Sequence, residues 1–273
     1  MSRTTHPSAD PMAEHRVVLV TGAASGLGWA LAQAFHARGD AVLLVDRDAP
    51  LLATRVEGLG ATRARGMVCD LTEATDRDAL VEEVRVIGRL DVLVHNAGIT
   101  HRSLATRTDP DVIRRVMEVN YHAPVALTHR LLPWLRASRG SLVAISSMAG
   151  WMPVPGRAGY GASKSALTQY FEVMRLELAA DGVHVLLAHP SFLDTPIERN
   201  ALGADGTPAG HPRSTVGRIR SPDWQAARIL TALEARRPTT AMEWVPGFGA
   251  LLWRVWPALY RRMIARRFVS DLG

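Results

Sequence analysis

The stretch Thr21-Gly22-Ala23-Ala24-Ser25-Gly26-Leu27-Gly28 decides the fold of this chain. It directly follows residues 16–20, a short run rich in β-branched side chains that is typical of a buried strand. It leads into residues 29–38, whose apolar side chains recur at helical spacing. This order is typical of a dinucleotide-binding fold, because glycines let the backbone approach a pyrophosphate and the helix N-terminus offers free N–H groups.

Further buried strands are predicted at residues 41–45, 67–69, 91–95, 141–145, 183–188 and 241–245. Helical patterns separate most of them, at residues 75–87, 110–136, 160–180 and 221–237. This alternation predicts βαβ units with right-handed crossovers. We therefore expect an α/β fold, namely a Rossmann-type doubly wound parallel sheet of about seven strands in a three-layer α/β/α arrangement, with ligand at the carboxyl ends of the strands.

The composition is that of one globular domain. The chain has 273 residues, of which 47% are hydrophobic, and a formal charge of +6. We expect residues 1–15 to be disordered, residues 16–245 to form the domain with a substrate loop at 192–219, and residues 246–273 to form a helical extension. The single cysteine, Cys69, excludes an internal disulfide and fits a cytoplasmic location. The first fifteen residues lack the apolar segment of a signal peptide, and no apolar run is long enough to span a membrane.

Acidic residues follow two of the predicted strands. Asp46 comes about twenty residues after the glycine-rich turn, where a carboxylate accepts hydrogen bonds from an adenosine ribose. Such a carboxylate repels a 2′-phosphate, so Asp46 favours NAD over NADP, whereas Arg47 could soften that preference by pairing with a phosphate. Asp70 ends the third strand, where it could meet the adenine amino group.

Tyr160 and Lys164 lie four residues apart in a predicted helix, so their side chains share one face. Lys164 is the only lysine in the chain, which argues against an incidental surface pair. A nearby ammonium lowers the pKa of a phenol, so the pair suits proton exchange with an alcohol or carbonyl oxygen. Asn120 lies inside another predicted helix, and its side chain is either exposed or a buried amide that kinks the helix or holds a water.

Together these motifs resemble the short-chain dehydrogenase/reductase family, in its common branch of roughly 250 residues. The matching motifs are the glycine-rich turn, Asp70, Asn96-Ala97-Gly98, Asn120, Ser147, Tyr160, Lys164, and Pro190 with Thr195. They run in order from residue 16 to about residue 196, at the separations that the family shows. The resemblance implies an NAD(P)-dependent oxidoreductase that acts on CH–OH groups and needs no metal.

The resemblance implies a catalytic set of Asn120, Ser147, Tyr160 and Lys164. Tyr160 would exchange a proton with the substrate oxygen, and Ser147 would orient that oxygen. Lys164 would lower the pKa of Tyr160 and hold the nicotinamide ribose, and Asn120 would hold a water in a proton relay. The resemblance places the cofactor against Gly22, Ser25, Gly26, Leu27, Gly28, Asp46, Asp70, Leu71, Asn96, Ala97, Gly98, Tyr160, Lys164, Pro190 and Thr195. The substrate would contact Ser147, Tyr160, Trp151 and Phe192, with Met152 and Val154 completing an apolar pocket.

The chain departs from the family pattern at three places. His95 stands where the family often has Asn, and we expect little consequence. Ser191 replaces the glycine that usually follows Pro190, which could alter the start of the substrate loop. The chain also continues past the usual family end. His189 is interpreted as a satisfied strand-end residue rather than a catalytic base.

The carboxyl-terminal segment, residues 244–270, contains no acidic residue and carries arginines among aromatic and aliphatic side chains. One interpretation is a basic amphipathic helix that rests on an anionic membrane, at its inner face. The other is a helix packed on the substrate loop or across a subunit interface. Binding to nucleic acid is not expected, because no recognition fold or basic stripe elsewhere supports it.

We expect an NAD(H)-dependent oxidoreductase that interconverts a hydrophobic secondary alcohol and its ketone, such as a steroid, long-chain or aromatic compound. Two alternatives stay open: an NADPH-dependent ketone or 3-oxoacyl reductase, and a non-catalytic dinucleotide sensor or membrane-peripheral scaffold with the same fold. If the family's habit holds, the helices at 110–136 and 160–180 form the interface of a homodimer or homotetramer.

Overall fold

The structure, a computed structural model, describes residues 10–210, 218–241 and 243–267, with the side chain of the last residue excluded. Most of the segment expected to be disordered, residues 1–9, lies outside the described residues. The same holds for residues 211–217 of the predicted substrate loop and residues 268–273 of the tail.

A parallel sheet forms the centre of the molecule, with strands in the order β3-β2-β1-β4-β5-β6. Short runs of Val, Leu, Ile and Ala form most of these strands, since such side chains pack well on a sheet that is covered on both faces. The strands are β1 Val17–Thr21, β2 Ala41–Asp46, β3 Ala64–Val68, β4 Val92–His95, β5 Ser141–Ile145 and β6 His184–Ala188.

The expected count of about seven strands is wrong for the described residues, which contain six. Residues 238–240 do run beside β6, but they form a single bridge, between Leu187 and Thr239. Pro238 has no N–H to donate to a ladder, and a helix already begins at Trp244. Of the segment predicted as a seventh strand, 241–245, residues 244 and 245 are therefore helical, and residue 242 lies outside the described residues.

Helices cover both faces of the sheet. They are α1 Gly26–Ala37, α2 Ala49–Leu59, α3 Ala74–Ile87, α4 Pro110–Met117, α5 Ala123–Ala137, α6 Ala158–Glu177, α7 Pro196–Arg199, α8 Pro222–Glu234, α9 Trp244–Val255 and α10 Pro257–Arg267. One apolar core joins the sheet to α3, α5 and α6, and the other joins it to α1, α2 and α8. Because side chains alternate along a strand, Leu19 faces the first core and Val18 the second.

The strand order fixes where a ligand can bind. The chain moves outward from β1 to β2 and β3, and then returns to the other side of β1 with β4. The connection after β1 runs toward β2 and the connection after β4 runs toward β5, in opposite directions along the sheet. This divergence opens a crevice at the carboxyl ends of β1 and β4. The glycine-rich turn and Asn96 follow these two strands directly.

Residues 10–15 are ordered, contrary to the expectation for the amino-terminal segment. Pro11–Glu14 form one turn of 3₁₀ helix, and the Asp10 carboxylate accepts a hydrogen bond from the Met12 N–H at 2.9 Å. The Met12 side chain is buried in the first core, and Asp10 pairs with Arg65 at 2.9 Å. Apolar burial and this pairing hold a segment whose composition alone suggests disorder.

The carboxyl-terminal tail forms two helices, α9 and α10, that pack on each other at a bend around Trp256. The helical extension thus begins at Trp244, slightly before the expected boundary, and Pro257 starts the second helix as its fixed φ favours. Neither helix, nor any other in the described part of the chain, combines the length and the apolar content that crossing a bilayer requires.

Candidate active site

The glycine-rich turn passes tightly from β1 to α1. Gly22 and Gly26 have positive φ angles of 65° and 54°, which residues with a side chain rarely adopt. A Cβ atom on Gly28 would lie 2.0 Å from the carbonyl oxygen of Gly22, so only glycine fits there. Gly22, Ser25, Gly26 and Leu27 line the main pocket, whereas Gly28 packs behind it.

Asn96 connects this turn to the end of β4. Its side-chain amide donates hydrogen bonds to the carbonyl oxygens of Thr21 and Gly22, at 3.0 and 3.2 Å. Its neighbours Ala97 and Gly98 continue along the same pocket wall. A Cβ on Gly98 would lie 3.2 Å from the Asn120 side-chain oxygen, so the small residue permits a close approach.

Asp46 lies at the end of β2, on the wall of the same pocket. Its carboxylate accepts hydrogen bonds from the backbone N–H groups of Ala24, at 2.9 Å, and Asp48, at 3.1 Å. Asp46 therefore fastens the glycine-rich turn to β2, in addition to the ribose role implied by the sequence. A carboxylate has more lone pairs than these two bonds use.

Asp70 and Leu71 line the far end of the pocket, where the adenine was expected. The Asp70 carboxylate accepts hydrogen bonds from the backbone and the hydroxyl of Thr72, at 2.9 and 2.7 Å. Burial raises the pKa of Asp70, but these bonds and the positive charges of Arg47 and Arg115 outweigh it, so the pKa lies below its ordinary value. Asp70 is thus an anion in the working pH range.

The carboxyl end of β5 and the start of α6 bring the predicted catalytic side chains together. Ser147 follows β5, and Tyr160 and Lys164 share one face of α6; all three line the pocket. Lys164 is only 4% exposed and donates a hydrogen bond to the Ile145 carbonyl at 2.8 Å. Its Nζ atom lies 5.9 Å from the centre of the Tyr160 ring.

The electrostatics of Tyr160 differ from the expectation. Loss of water around the phenol is the largest influence and raises its pKa above the ordinary value, although the Ser147 hydrogen bond and the Arg157 charge lower it. Burial also lowers the pKa of Lys164 to about 8. The protein around Tyr160 therefore does not by itself lower the pKa of the phenol toward 7, because the desolvation of the phenol outweighs the nearby positive charge.

Asn120 is completely buried, which decides between the two alternatives raised by its sequence position. It lies in a π-helical turn, Glu118–His122, that interrupts the helix between α4 and α5. Its amide nitrogen donates to the Ile99 carbonyl and the Ser163 hydroxyl, both at 2.9 Å, and its oxygen accepts from the Ile99 N–H at 2.9 Å. Asn120 therefore fastens the loop after β4 to the helix that carries Tyr160.

The main pocket has a volume of about 650 Å³, large enough for a dinucleotide arm and a substrate. Met152, Val154 and Phe192 line it as expected, as do Pro190 and Thr195. Trp151 does not: its ring stacks on His189 with 3.8 Å between the ring centres and faces a separate small cavity. Of the predicted substrate contacts, Trp151 is therefore the one that the lining of the main pocket does not support.

The tail supplies pocket residues that the sequence reasoning did not identify. Phe248 of α9, and Tyr260, Met263 and Ile264 of α10, line the pocket. Tyr260 is buried and donates a hydrogen bond to the Pro153 carbonyl at 2.8 Å. The signal was present as the apolar arc of the tail, but its direction depends on contacts that periodicity does not show.

A second missed feature is an ion-pair cluster beside the pocket. Glu198 of α7 accepts hydrogen bonds from Arg157 at 2.6 Å and from Arg102 at 3.0 Å, and all three side chains are mostly buried. Arg157 immediately precedes α6 and also donates to the Thr100 hydroxyl at 2.9 Å. The cluster holds the start of the substrate loop against the helix that carries Tyr160.

Ser191 and His95, two of the departures from the family pattern, both form side-chain hydrogen bonds. The Ser191 hydroxyl donates to Glu243 at 2.6 Å, and Glu243 also accepts from Arg220 at 2.9 Å. The residue in place of glycine thus connects both ends of the substrate loop to the start of α9. His95 is buried, and its ring forms a hydrogen bond with the Thr128 hydroxyl at 2.7 Å.

His189 directly follows β6, as interpreted, but it is not fully satisfied, because its buried Nδ1 has no hydrogen-bond partner among the described residues. Burial lowers its pKa to about 4, so the ring is neutral at physiological pH. The contact with the Trp151 ring holds the imidazole in place. Its ring lines the small cavity behind the main pocket, where it does not face Tyr160.

Comparison with known proteins agrees with this geometry. A family model described as short chain dehydrogenase matches residues 16–204, which hold every motif of the site. Dehydrogenase/reductase SDR family member 7B from Bos taurus is 37% identical, over 92% of this chain and 81% of the relative. The protein of the same name from Danio rerio is 35% identical, over 96% of this chain and 89% of its own length.

Solved structures show the same fold. A short-chain dehydrogenase from Streptomyces avermitilis superposes with a TM-score of 0.78 at 30% identity, covering 95% of this chain and 99% of that one. A 3-ketoacyl-(acyl-carrier-protein) reductase from Brucella melitensis, complexed with NADH, gives 0.72 at 25% identity, covering 82% and 94%. A short-chain dehydrogenase from Sphingobium yanoikuyae, in complex with NADPH, gives 0.74 at 25% identity, covering 89% and 95%. The chain belongs to the short-chain dehydrogenase/reductase family and is an NAD(P)-dependent oxidoreductase.

Proposed function

We propose that this protein interconverts a hydrophobic secondary alcohol and the corresponding ketone, with NAD(H) as its preferred cofactor. The observation that carries the proposal is the meeting of Ser147, Tyr160 and Lys164 at one wall of a large pocket whose remaining walls are mostly apolar. A protein that only senses dinucleotides would need none of these proton-transfer groups, which argues against the non-catalytic alternative.

The cofactor-binding role rests on the shape of the pocket. The glycine-rich turn lines the pocket with Gly22, Ser25 and Gly26, and the N-terminus of α1, which begins at Gly26, would face a pyrophosphate there. Asp46 would bind the adenosine ribose, and Asp70 with Leu71 would flank the adenine. When bound, the nicotinamide ring supplies or accepts the hydride.

Each catalytic side chain has a separate task in the proposed reaction. The Ser147 hydroxyl would hydrogen-bond the substrate oxygen and orient it. The neutral Tyr160 phenol would donate its proton to that oxygen during ketone reduction, and the phenolate would take the proton back during alcohol oxidation. The Lys164 ammonium would stabilise the phenolate and hold the nicotinamide ribose, and Asn120 would hold a water in the path that returns the proton.

The preference for NAD rests on Asp46, since a carboxylate at this place repels a 2′-phosphate. We expect Asp46→Ala to weaken NADH binding and to reduce the ratio of NADH to NADPH affinity by roughly tenfold or more. Titration of both cofactors, followed by energy transfer from the tryptophans, measures this ratio. An unchanged ratio would show that Asp46 does not contact the ribose.

Arg47 and Arg115 favour the alternative of an NADPH-dependent ketone or 3-oxoacyl reductase. Both line the pocket, and the positive charge of each lowers the pKa of Asp70. They therefore lie near the adenosine end of the pocket, where a 2′-phosphate would bind. Tighter binding of NADPH than of NADH by the parent protein would select this alternative.

The substrate class rests on the side chains around Tyr160, since Met152, Val154 and Phe192 offer almost no hydrogen bonds. The test is turnover on matched series of long-chain, aromatic and steroid alcohols and ketones, with short polar alcohols as the comparison. We expect kcat/KM to rise with the apolar surface of the substrate. A preference for small polar alcohols would contradict the proposal.

We further propose a homodimer or homotetramer in the cytoplasm, assembled through α4, α5 and α6. The outer face of α6 supports the interface, since it exposes Val173 and Leu176 to solvent. The single cysteine supports a reducing compartment: Cys69 is buried, and burial raises its pKa to about 12.

A further inference from the structure

The outer face of the tail is unusually apolar. Trp244, Phe248, Leu251 and Val255 follow one another at intervals of four, three and four residues, so they form one stripe along α9. All four are exposed, with Leu251 at 60% and Val255 at 72%. Trp256 continues the stripe at the bend before α10. Phe248 also lines the pocket, whereas Trp244, Leu251 and Val255 do not.

Exposed apolar residues are concentrated in the tail. Of the thirteen large hydrophobic side chains that are exposed in the described residues, eight lie between Trp244 and Met263. Of the other five, Val173 and Leu176 are neighbours on α6, and Val68, Val86 and Ile219 lie apart from one another in the sequence. A contiguous apolar surface of this kind marks an interaction site, whereas single exposed residues do not.

The charges beside the stripe have one sign. Arg254 on α9 and Arg261, Arg262 and Arg266 on α10 are exposed, and no acidic residue occurs between Glu243 and Asp271. Within the described ranges, none of the four arginines forms a salt bridge. This surface therefore suits a partner that is negatively charged at its edge and apolar below it, as an anionic lipid bilayer is.

The inner face of the same helices forms part of the pocket. Gly249 faces the Met152 sulfur closely, since a Cβ there would lie 3.2 Å from it. Met263 and Ile264 line the pocket, while Tyr260 is fastened to Pro153. One face of the tail thus packs on the rest of the protein, as one of the two interpretations expected. The other face, which carries Leu251 and Val255, is exposed.

We propose that α9 and α10 dock the protein on an anionic bilayer surface, so that the pocket takes its apolar alcohol or ketone from that bilayer. The first half of this proposal stands on the surface alone. The second half rests on the proposed function, and it explains why one pair of helices forms both a pocket wall and an exposed apolar stripe.

Docking is tested by sedimentation of the full chain with phosphatidylcholine vesicles, with and without phosphatidylserine. We expect binding that is much stronger with phosphatidylserine and that falls by roughly tenfold or more in the variant Leu251→Glu/Val255→Glu. Neither residue lines the pocket, and both are exposed, so the fold should persist and circular dichroism checks it. Val86→Glu, at an equally exposed apolar position on α3, is the matched control and should bind like the parent.

A second variant separates charge from apolar contact. Arg262→Gln/Arg266→Gln should lose most of the preference for phosphatidylserine while retaining weak binding to phosphatidylcholine. Equal partitioning of the parent and Leu251→Glu/Val255→Glu would overturn the proposal. So would a self-associated parent that ignores vesicles and that Leu251→Glu/Val255→Glu dissociates, because the stripe would then cover a second copy of this chain.

Delivery of substrate has its own readout. Leu251→Glu/Val255→Glu should raise the apparent KM for a long-chain alcohol dissolved in anionic vesicles and leave kcat/KM for a short soluble alcohol unchanged. The same KM in both proteins would overturn delivery. Vesicle binding by the inactive variant Tyr160→Phe should equal that of the parent, so a failed turnover assay would count against the proposed reaction and leave docking standing.

Discussion

Lys164 shows how single residues set the chemistry of the site. Its ammonium lies away from water, and burial lowers its pKa to about 8, so most molecules still carry the charge at neutral pH. The Ile145 carbonyl holds the group at 2.8 Å and fixes its direction. Because the pKa of Tyr160 is raised at the same time, the phenol is protonated at neutral pH and is ready to donate to a ketone.

The pH dependence of ketone reduction follows from Lys164. Below about pH 8 the ammonium is present, and above it the charge that supports the developing phenolate is lost. We therefore expect kcat/KM for reduction to be constant at lower pH and to decrease as the pH rises through about 8. A profile that is flat through this range would contradict the assignment, and Lys164→Arg, which keeps a charge, should move the decrease to higher pH.

His95 gives a separate prediction about stability. Burial lowers its pKa to about 3. As the pH falls below about 6.5, the unfolded chain therefore binds a proton at His95, whereas the folded chain does not do so until the pH is near 3. Stability is therefore complete above about pH 6.5 and falls as the pH decreases toward 3, by about 1.4 kcal/mol per unit. In His95→Asn the loss between about pH 7 and 5 should be smaller by roughly 2 kcal/mol.

Urea unfolding at both pH values measures the His95 effect. Thr128→Val is the control, since it removes the hydrogen-bond partner of His95 and retains the titrating ring. Thr128→Val should be less stable at both pH values and keep a pH dependence close to that of the parent. An equal loss in the parent and His95→Asn would refute the interpretation.

At the scale of elements, the turn between β1 and α1 organises the cofactor end of the pocket. It places the N-terminus of α1, Asn96 and Asp46 around one crevice, and it depends on glycine at three positions. The turn is rigid because the side chains of Asn96 and Asp46 bond its backbone. Its geometry is therefore a testable requirement for binding a dinucleotide.

We expect Gly28→Ala to weaken NADH binding by roughly a hundredfold or to prevent folding, because its Cβ would stand 2.0 Å from the Gly22 oxygen. Gly58→Ala is the control, since nothing lies within 4 Å of its added Cβ on α2. Gly58→Ala should bind NADH normally and gain up to about 1 kcal/mol of stability. Equal NADH affinity in Gly28→Ala and the parent would refute the account of the turn.

Much of the element order was predictable because it depends on local patterns. The glycine-rich turn and Asp46 follow predicted strands, and Tyr160 and Lys164 share a predicted helix, so the patterns placed them, whereas the place of Asn96 at the cofactor was implied by the family resemblance. The order of residues 10–15 was not predictable, since Met12 is held by contacts with residues far along the chain. The direction of Trp151 and the path of residues 241–245 likewise depend on packing and on Pro238.

At the scale of the whole molecule, α6 carries catalytic groups on its inner face and apolar groups on its outer face. Val173 and Leu176 are exposed there, with Leu176 at 78%. A subunit interface on this face would stiffen the helix that positions Tyr160. The exposed residues of the tail lie on α9 and α10, so the proposed assembly and the proposed membrane docking would use different helices.

Leu176→Glu should dissociate the proposed dimer or tetramer, because it introduces a charge into an apolar interface. Sedimentation equilibrium should show a lower mass for Leu176→Glu than for the parent at equal concentration. Val86→Glu, exposed at 56% on α3, is the control and should keep the parent's mass. A monomeric parent would rule out the interface.

The measurement that tests the central claim most directly compares the parent with Tyr160→Phe, which removes only the phenol oxygen. Oxidation of NADH with a hydrophobic ketone and binding of NADH are measured on the same two samples. The account predicts that turnover falls by roughly a hundredfold or more while NADH affinity changes little, because the proton donor is lost and the cofactor site is kept. Undiminished turnover in Tyr160→Phe would contradict the assignment of Tyr160 as the acid and base of this oxidoreductase.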